Sequence, residues 1–349
     1  MKIDQSIPKN NFTNNSQNLQ RTIAIWAFSE SALGGILHAL TIPLRGLFIS
    51  SAAVLFISLI ALFSKSSREI LKTTMIVILI KAVVSPYSPL TAYFAVLVQG
   101  VLGFLLFSTK KFYKLSALLL GMFALFFSGA QKIITLTIVF GNTLWNSIDI
   151  FIRQTAKEFL NIEQPEINYS YLIIAVYILI HLSAGLFIGL YSGRLPQKIN
   201  YYKSVIPSSI EFENTEEIAL KVRRKKRKWF LRPTGVLIIV LSIGVIIISY
   251  LSPELDNNAA VSVVIMFLRA IVITFTWYTL LGPLARKYFL KFIAKRKSEY
   301  SKDLEEIISM FPQFRKVVNY CWKNSVHKRG MGRIRTFFST SFYYLLLSK

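Results

Sequence analysis

The sequence predicts an all-α, polytopic membrane protein with about eight transmembrane helices, six followed by two, and amphipathic C-terminal helices on the cytoplasmic side. Three observations carry this expectation. First, 53 % of the 349 residues are hydrophobic and only 17 % are charged, with a mean hydropathy of +0.49; soluble domains are about half apolar and about a quarter charged. Second, the apolar residues gather in runs of bilayer-crossing length. Third, the net charge of +24, from 41 Lys+Arg against 17 Asp+Glu, lies outside those runs. Such a basic chain raises the question of nucleic acid, but charge confined to the connections describes a membrane topology, and no nucleic-acid partner is expected.

In chain order, residues 1–21 are rich in Asn and Gln and lack an apolar core before a small-residue cleavage site. They read as a disordered cytoplasmic lead-in and not a signal peptide. Spans follow near 22–40, 46–63, 71–84, 90–108, 115–140 and 171–192, then near 235–252 and 259–283. Residues 71–108 are too long for one crossing, about 57 Å at about 1.5 Å per residue. Ser85-Pro86-Tyr87-Ser88-Pro89 breaks that stretch, because proline removes a helix donor and restricts its neighbour. Two short helices joined at a turn, or a re-entrant hairpin, both fit.

Loop charge sets the orientation. Lys110, Lys111 and Lys114 mark one connection as cytoplasmic. Residues 193–233 hold eleven basic and four acidic residues, including Lys221-Val222-Arg223-Arg224-Lys225-Lys226-Arg227-Lys228, and the tail from 285 holds fifteen basic and four acidic. By contrast 146–170 holds two basic and four acidic residues, and 253–258 only Glu254 and Asp256. Alternating eight spans puts every basic connection on one side and both acidic ones on the other. The expected location is the inner (cytoplasmic) membrane, with both termini in the cytoplasm. The expected organisation is 1–21 lead-in, 22–195 six-helix membrane domain, 196–233 basic linker, 234–284 two-helix segment and 285–349 basic tail.

In the tail, Leu304, Ile307, Ile308 and Phe311 recur at helical spacing, and the pattern restarts after Pro312 with Phe314, Val317, Val318 and Cys321. This predicts two amphipathic helices. The aromatic end, Phe337-Phe338 through Tyr343-Tyr344-Leu345, suits a membrane interface. The positive surface of the tail suits anionic lipid at the cytoplasmic face or a protein partner.

Several chemistries lack their residues. Glu30 is the sole acid within any predicted span, which argues against aspartyl proteolysis and against transferases that hold magnesium on several aspartates. His38, His181 and His327 form no H-E-x-x-H. There is no P-loop, no G-x-S-x-G, and Cys321 stands alone, so neither a disulfide framework nor a cysteine zinc site is available. The expectation is no enzyme, no metal and no cofactor.

Polar residues at membrane depth point to function. Glu30 and His38 are eight residues apart, about 12 Å of rise and about 80° of rotation, so they share one broad face. Lys81, near the end of the third span, is placed to pair with Glu30 if those helices pack together. His181 and Arg269 lie within the sixth and eighth spans. Ala27, Ser31, Gly35 and Ala39 form a ladder of small residues that allows close helix approach, and Gly185, Gly189 and Gly193 form a second, read as internal packing. The outward connections Thr41-Ile42-Pro43-Leu44-Arg45-Gly46, Ser85–Pro89 and 146–170 offer Arg45 for an anionic group, with Tyr87 and Trp145 for stacking or for the aromatic belt.

With these features, residues about 20–195 resemble the substrate-binding S component of energy-coupling factor transporters: six spans, a small-x-x-x-small face on the first helix and gating outer connections. The resemblance implies binding of a vitamin-like solute near the outer surface, docking of the first helix through Ala27, Ser31, Gly35 and Ala39 on a transmembrane coupling subunit, and energy from separate ATPase subunits. The C-terminal part faintly resembles the coupling helices of a T component, with Lys328-Arg329-Gly330 standing where that family carries Ala-Arg-Gly. This implies partner coupling at Arg329 and Gly330. The expected function is therefore uptake of a small organic solute, bound through Glu30, His38, Arg45, Lys81, Tyr87 and Trp145. The alternative is a non-transporting membrane scaffold whose basic tail recruits a partner or anionic lipid.

Overall fold

The computed structural model describes residues 10–33, 44–85, 88–160, 168–205 and 259–347. Among these the regular structure is helical throughout. The helices are α1 (Asn10–Phe28), α2 (Arg45–Phe63), α3 (Arg68–Val84), α4 (Leu90–Leu106), α5 (Tyr113–Phe140), α6 (Asn142–Leu160), α7 (Tyr169–Gly193), α8 (Leu195–Val205), α9 (Ala259–Thr276), α10 (Gly282–Glu299), α11 (Ser301–Ser309), α12 (Phe311–Asn324) and α13 (Gly330–Leu347). π-helical turns at Ser29–Leu33 and Trp277–Leu281 continue α1 and join α9 to α10. The expected span near 235–252, the basic run 221–228 and the connection 253–258 lie outside the described residues.

Among the described residues, four stretches are long and apolar enough to cross a bilayer: Arg45–Phe63, Tyr113–Phe140, Tyr169–Gly193 and Val264–Glu299. Large apolar side chains on α7, among them Leu172, Leu179 and Phe187, are exposed, as expected of a helix surface solvated by lipid. Leu90–Leu106 is apolar but shorter. It and Arg68–Val84 are separate 17-residue helices, about 26 Å each, and Pro89 immediately precedes α4, where a missing N–H costs nothing.

The chain divides into two compact units. The first comprises Met1–Ser128, His181–Thr215 and Phe292–Lys349; the second comprises Gly129–Ile180 and Glu216–Lys291. These units cut across the division expected near residue 200, because the tail carries its own apolar faces and packs into the first unit.

In the first unit α1 packs on α2 and α3, and α4 packs on α2 and α3. Trp26, Ile57, Leu59, Ile60, Ile70, Leu79 and Ile80 are fully buried between them. α1 begins at Asn10, ahead of the start expected at 22. Its early turns are held by burial of Asn18 and Thr22, whose Oγ1 donates to Asn18 O at 2.7 Å, and by contact of α1 with α11. The tail forms amphipathic helices on either side of Met310, with Pro312 in the first turn of α12. Leu304, Ile307, Phe314, Val317 and Cys321 are buried, while Ile308 stays exposed. α11 lies on α1 and α3, where Lys72 Nζ meets Asp303 Oδ2 at 3.2 Å. The aromatic end of α13 also turns inward: Tyr343 is buried and stacks on Tyr202 at 3.8 Å between ring centroids.

The glycines of the sixth span do pack internally. A Cβ on Gly121 of α5 would lie 2.3 Å from Gly185 O, and one on Gly189 would lie 2.7 Å from the Cα of Leu118. The two backbones touch, an approach that only residues without side chains permit.

In the second unit, residues 146–160, expected as part of an outer connection, belong to the helix α6. Leu144, Trp145, Ile148 and Ile152 line one side at helical spacing while Asn146, Arg153, Gln154 and Lys157 are exposed, and α6 contacts α9. Gly141, at φ +74°, separates α5 from α6 and sits against the Arg269 guanidinium. Asp149 joins α6 to the start of α7: its Oδ1 accepts the Ser170 N–H at 2.8 Å and its Oδ2 accepts the Ser170 hydroxyl at 2.6 Å. Partial burial works against the charge, but the Ser170 and Tyr169 hydrogen bonds and nearby Arg153 bring its pKa below the usual carboxylate value. A carboxylate at a helix N-terminus is stabilised in this way. Asp149→Asn is expected to cost about 1 kcal/mol, read by thermal unfolding in detergent near neutral pH. Because the folded pKa is depressed, this contribution is complete above the ordinary aspartate pKa and is lost as pH falls through the folded value.

Candidate functional site

The clearest polar constellation within the apolar bundle lies at the ends of α1 and α3. Lys81, in the last turn of α3, donates from Nζ to Glu30 Oε2 at 2.8 Å, and both side chains are almost wholly buried. Two facts bring them together: α1 packs on α3, and Glu30 sits in the π-helical turn Ser29–Leu33. Such wide turns recur at functional sites. Neither residue is tolerable alone in this setting, because an unpaired buried charge carries a desolvation cost of several kcal/mol.

Around the pair, the Lys81 ammonium lies 5.9 Å from the ring centre of Tyr93, at the start of α4. The Tyr93 hydroxyl donates to Ser85 O at 3.1 Å, and the Ser85 and Ser88 hydroxyls are 2.9 Å apart. The pair thus sits about one turn below the Ser85–Pro89 connection. Trp26, one turn from Glu30 along α1, is fully buried, and its Nε1 finds no acceptor among the described residues. Gln99 of α4 donates from Nε2 to Ser50 Oγ at 2.9 Å, leaving its buried Oε1 without a donor among the described residues. Buried polar atoms of this kind are rare and call for a partner such as water or a bound group.

No family model, curated protein or solved structure matches the chain.

Of the residues expected to contact solute, Glu30 and Lys81 are brought together. Arg45 opens α2 and is exposed; the adjacent Gly46 is close to Ser128 of α5. Trp145 belongs to the second unit, where its Nε1 donates to Thr137 Oγ1 at 3.0 Å. His38 and Tyr87 lie outside the described residues, as do Gly35 and Ala39 of the first ladder. Ala27 and Ser31 are buried in the first unit, with the Ser31 hydroxyl donating to Ala27 O at 2.8 Å. His181 is also buried there. Gly330 takes φ +59° at the first position of α13 and Arg329 is exposed beside it. Left-handed backbone favours glycine, which gives Gly330 a structural reason to be there.

Sequence reasoning passed over Tyr93, Gln99 and Ser50. Gln99 had a signal: it is the one strongly polar side chain in the run Leu90–Leu106. Tyr93 had none, since tyrosine near a span end is ordinary belt chemistry.

Proposed function

We propose that the chain is a membrane transport component that binds a small organic, vitamin-like solute from the outer side, with uptake driven by ATPase subunits on other chains. In this reading it is a multi-pass inner-membrane protein of about eight spans with both termini in the cytoplasm. The observation that carries it is the buried Glu30–Lys81 pair at 2.8 Å inside an apolar helical bundle. Ionisable residues at such depth mark substrate or ion pathways. Further support comes from the π-helical turn that holds Glu30 and from the buried Trp26 Nε1 one turn away, which has no acceptor among the described residues. The Ser85–Pro89 connection lies directly beyond Lys81. A solute with a charged group would exchange with one member of the pair while Arg45, at the head of α2, attracts an anionic group.

The experiment is a thermal-unfolding screen of the purified protein in detergent against a panel of water-soluble vitamins. One of them is expected to raise the midpoint in the parent, and Glu30→Gln and Arg45→Ala are expected to abolish that rise. Stabilisation unchanged in both variants would sink the site assignment. A second reading, a membrane scaffold, is favoured by the fact that Glu30 and Lys81 already neutralise each other. Absence of stabilisation by any vitamin, with the parent folded, is the outcome that reading expects.

A further inference from the structure

The last part of the chain has an unusual balance of charge and exposure. After Glu306 the sequence contains no Asp or Glu, while Arg315, Lys316, Lys323, Lys328, Arg329, Arg333, Arg335 and Lys349 supply eight basic residues. Large apolar side chains in the same stretch are left uncovered. On α13, Met331 is 79 % exposed, Ile334 46 % and Phe338 67 %. Their spacing of three and four places them in one stripe along the helix. Arg335 flanks the stripe, and Lys328 and Arg329 stand exposed at its start. Beside it, the Arg333 guanidinium lies 4.2 Å from the ring centre of the exposed Trp322, a cation–π contact.

The other end of α13 locates this stripe. Phe342 lies 6.2 Å from Phe56, between ring centroids, and Phe56 is seven residues inside the end of the bilayer-length helix α2, about 10 Å along its axis. The Ser339 hydroxyl is 3.1 Å from that of Tyr202, just beyond α7. α13 therefore has its end within the span of α2 and carries its bare apolar stripe outward from that depth. Soluble surfaces do not keep contiguous large apolar side chains ringed by a single sign of charge without an occupant.

We infer that α13 is a lipid-engaging element: Met331, Ile334 and Phe338 seat among acyl chains while Lys328, Arg329 and Arg335 take anionic phospholipid headgroups. The charge pattern selects the occupant. A bilayer surface carrying anionic lipid presents negative charge above hydrocarbon, the complement of a stripe with basic flanks. Because α2 already holds this unit in the membrane, that surface is present at high effective concentration.

The test uses the full-length protein with Met331→Cys, carrying an environment-sensitive fluorophore, in nanodiscs of phosphatidylcholine with or without phosphatidylglycerol. The native Cys321 is buried, and the parent serves as the labelling control. Phosphatidylglycerol is expected to shift the emission to the blue, and high salt is expected to reverse much of the shift. Lys328→Gln/Arg329→Gln/Arg335→Gln is expected to lose the shift with the unfolding midpoint unchanged. The same emission in both lipid compositions would overturn the inference. So would a shift caused by soluble polyglutamate but not by phosphatidylglycerol, which would assign the surface to an acidic protein. A lipid shift that survives the triple variant would overturn the headgroup assignment.

Discussion

Lys81→Ala is expected to destabilise the protein by about 3–5 kcal/mol, because it leaves the Glu30 carboxylate buried with its counter-charge gone. Glu30→Ala is expected to do the same to Lys81. The pair is at 2.8 Å and nearly inaccessible to solvent on both sides, so neither charge can recover hydration without opening the contact between α1 and α3. Replacing both residues together, as Glu30→Gln with Lys81→Met, is expected to restore most of the loss, since a buried ion pair exchanged for matched uncharged groups is often neutral. The measurement is unfolding in detergent of the two single variants and the double variant. Additive losses would show that the two residues do not act as a pair. A surface contact makes the contrast clear: Lys72–Asp303 is partly exposed, and exposed pairs contribute at most about 1 kcal/mol.

A second large effect is expected at the crossing of α5 and α7. Gly189→Leu and Gly121→Leu each push a side chain into the backbone of the facing helix, at distances of 2.7 Å and 2.3 Å even for the first carbon. Flexible side chains can give way, but backbone atoms of a helix cannot without moving the helix. The cost is expected at or above the upper end of ordinary overpacking, about 3 kcal/mol. Gly193→Leu is the control. There the nearest atom to a new Cβ is 3.4 Å away, and a loss well below that of Gly189→Leu is expected in the same unfolding assay. Equal losses at 189 and 193 would contradict the close approach.

The parts of the fold that were legible are those where a periodic pattern has one physical solution. Apolar runs bounded by charge or proline gave the helix positions from α2 to α5 within a few residues, and Leu304, Ile307, Phe314, Val317 and Cys321 are the buried faces that their spacing implies. Glu30 and Lys81 were a readable pair because each is an isolated charge in an apolar stretch and needs the other. What those surfaces pack against was not legible. The tail stripes could not announce that α11 docks on α1 and α3, because nothing in an amphipathic pattern names its partner. α6 escaped notice because its polar face carries Asn146, Arg153, Gln154 and Lys157, which in a membrane chain read as a connection. Gly121 is a lone glycine among bulky residues of α5, so the partner of Gly185 and Gly189 was invisible until the helices were placed side by side.

The most direct test of the transport reading exchanges the two charges. In Glu30→Lys/Lys81→Glu the ion pair persists with its polarity reversed, so a purely structural role is preserved while a solute meets the wrong charge on each helix. The expected result is an unfolding midpoint close to that of the parent and no stabilisation by the vitamin that stabilises the parent. A folded exchange variant that the same vitamin stabilises as strongly as the parent would contradict the assignment of Glu30 and Lys81 to a solute site.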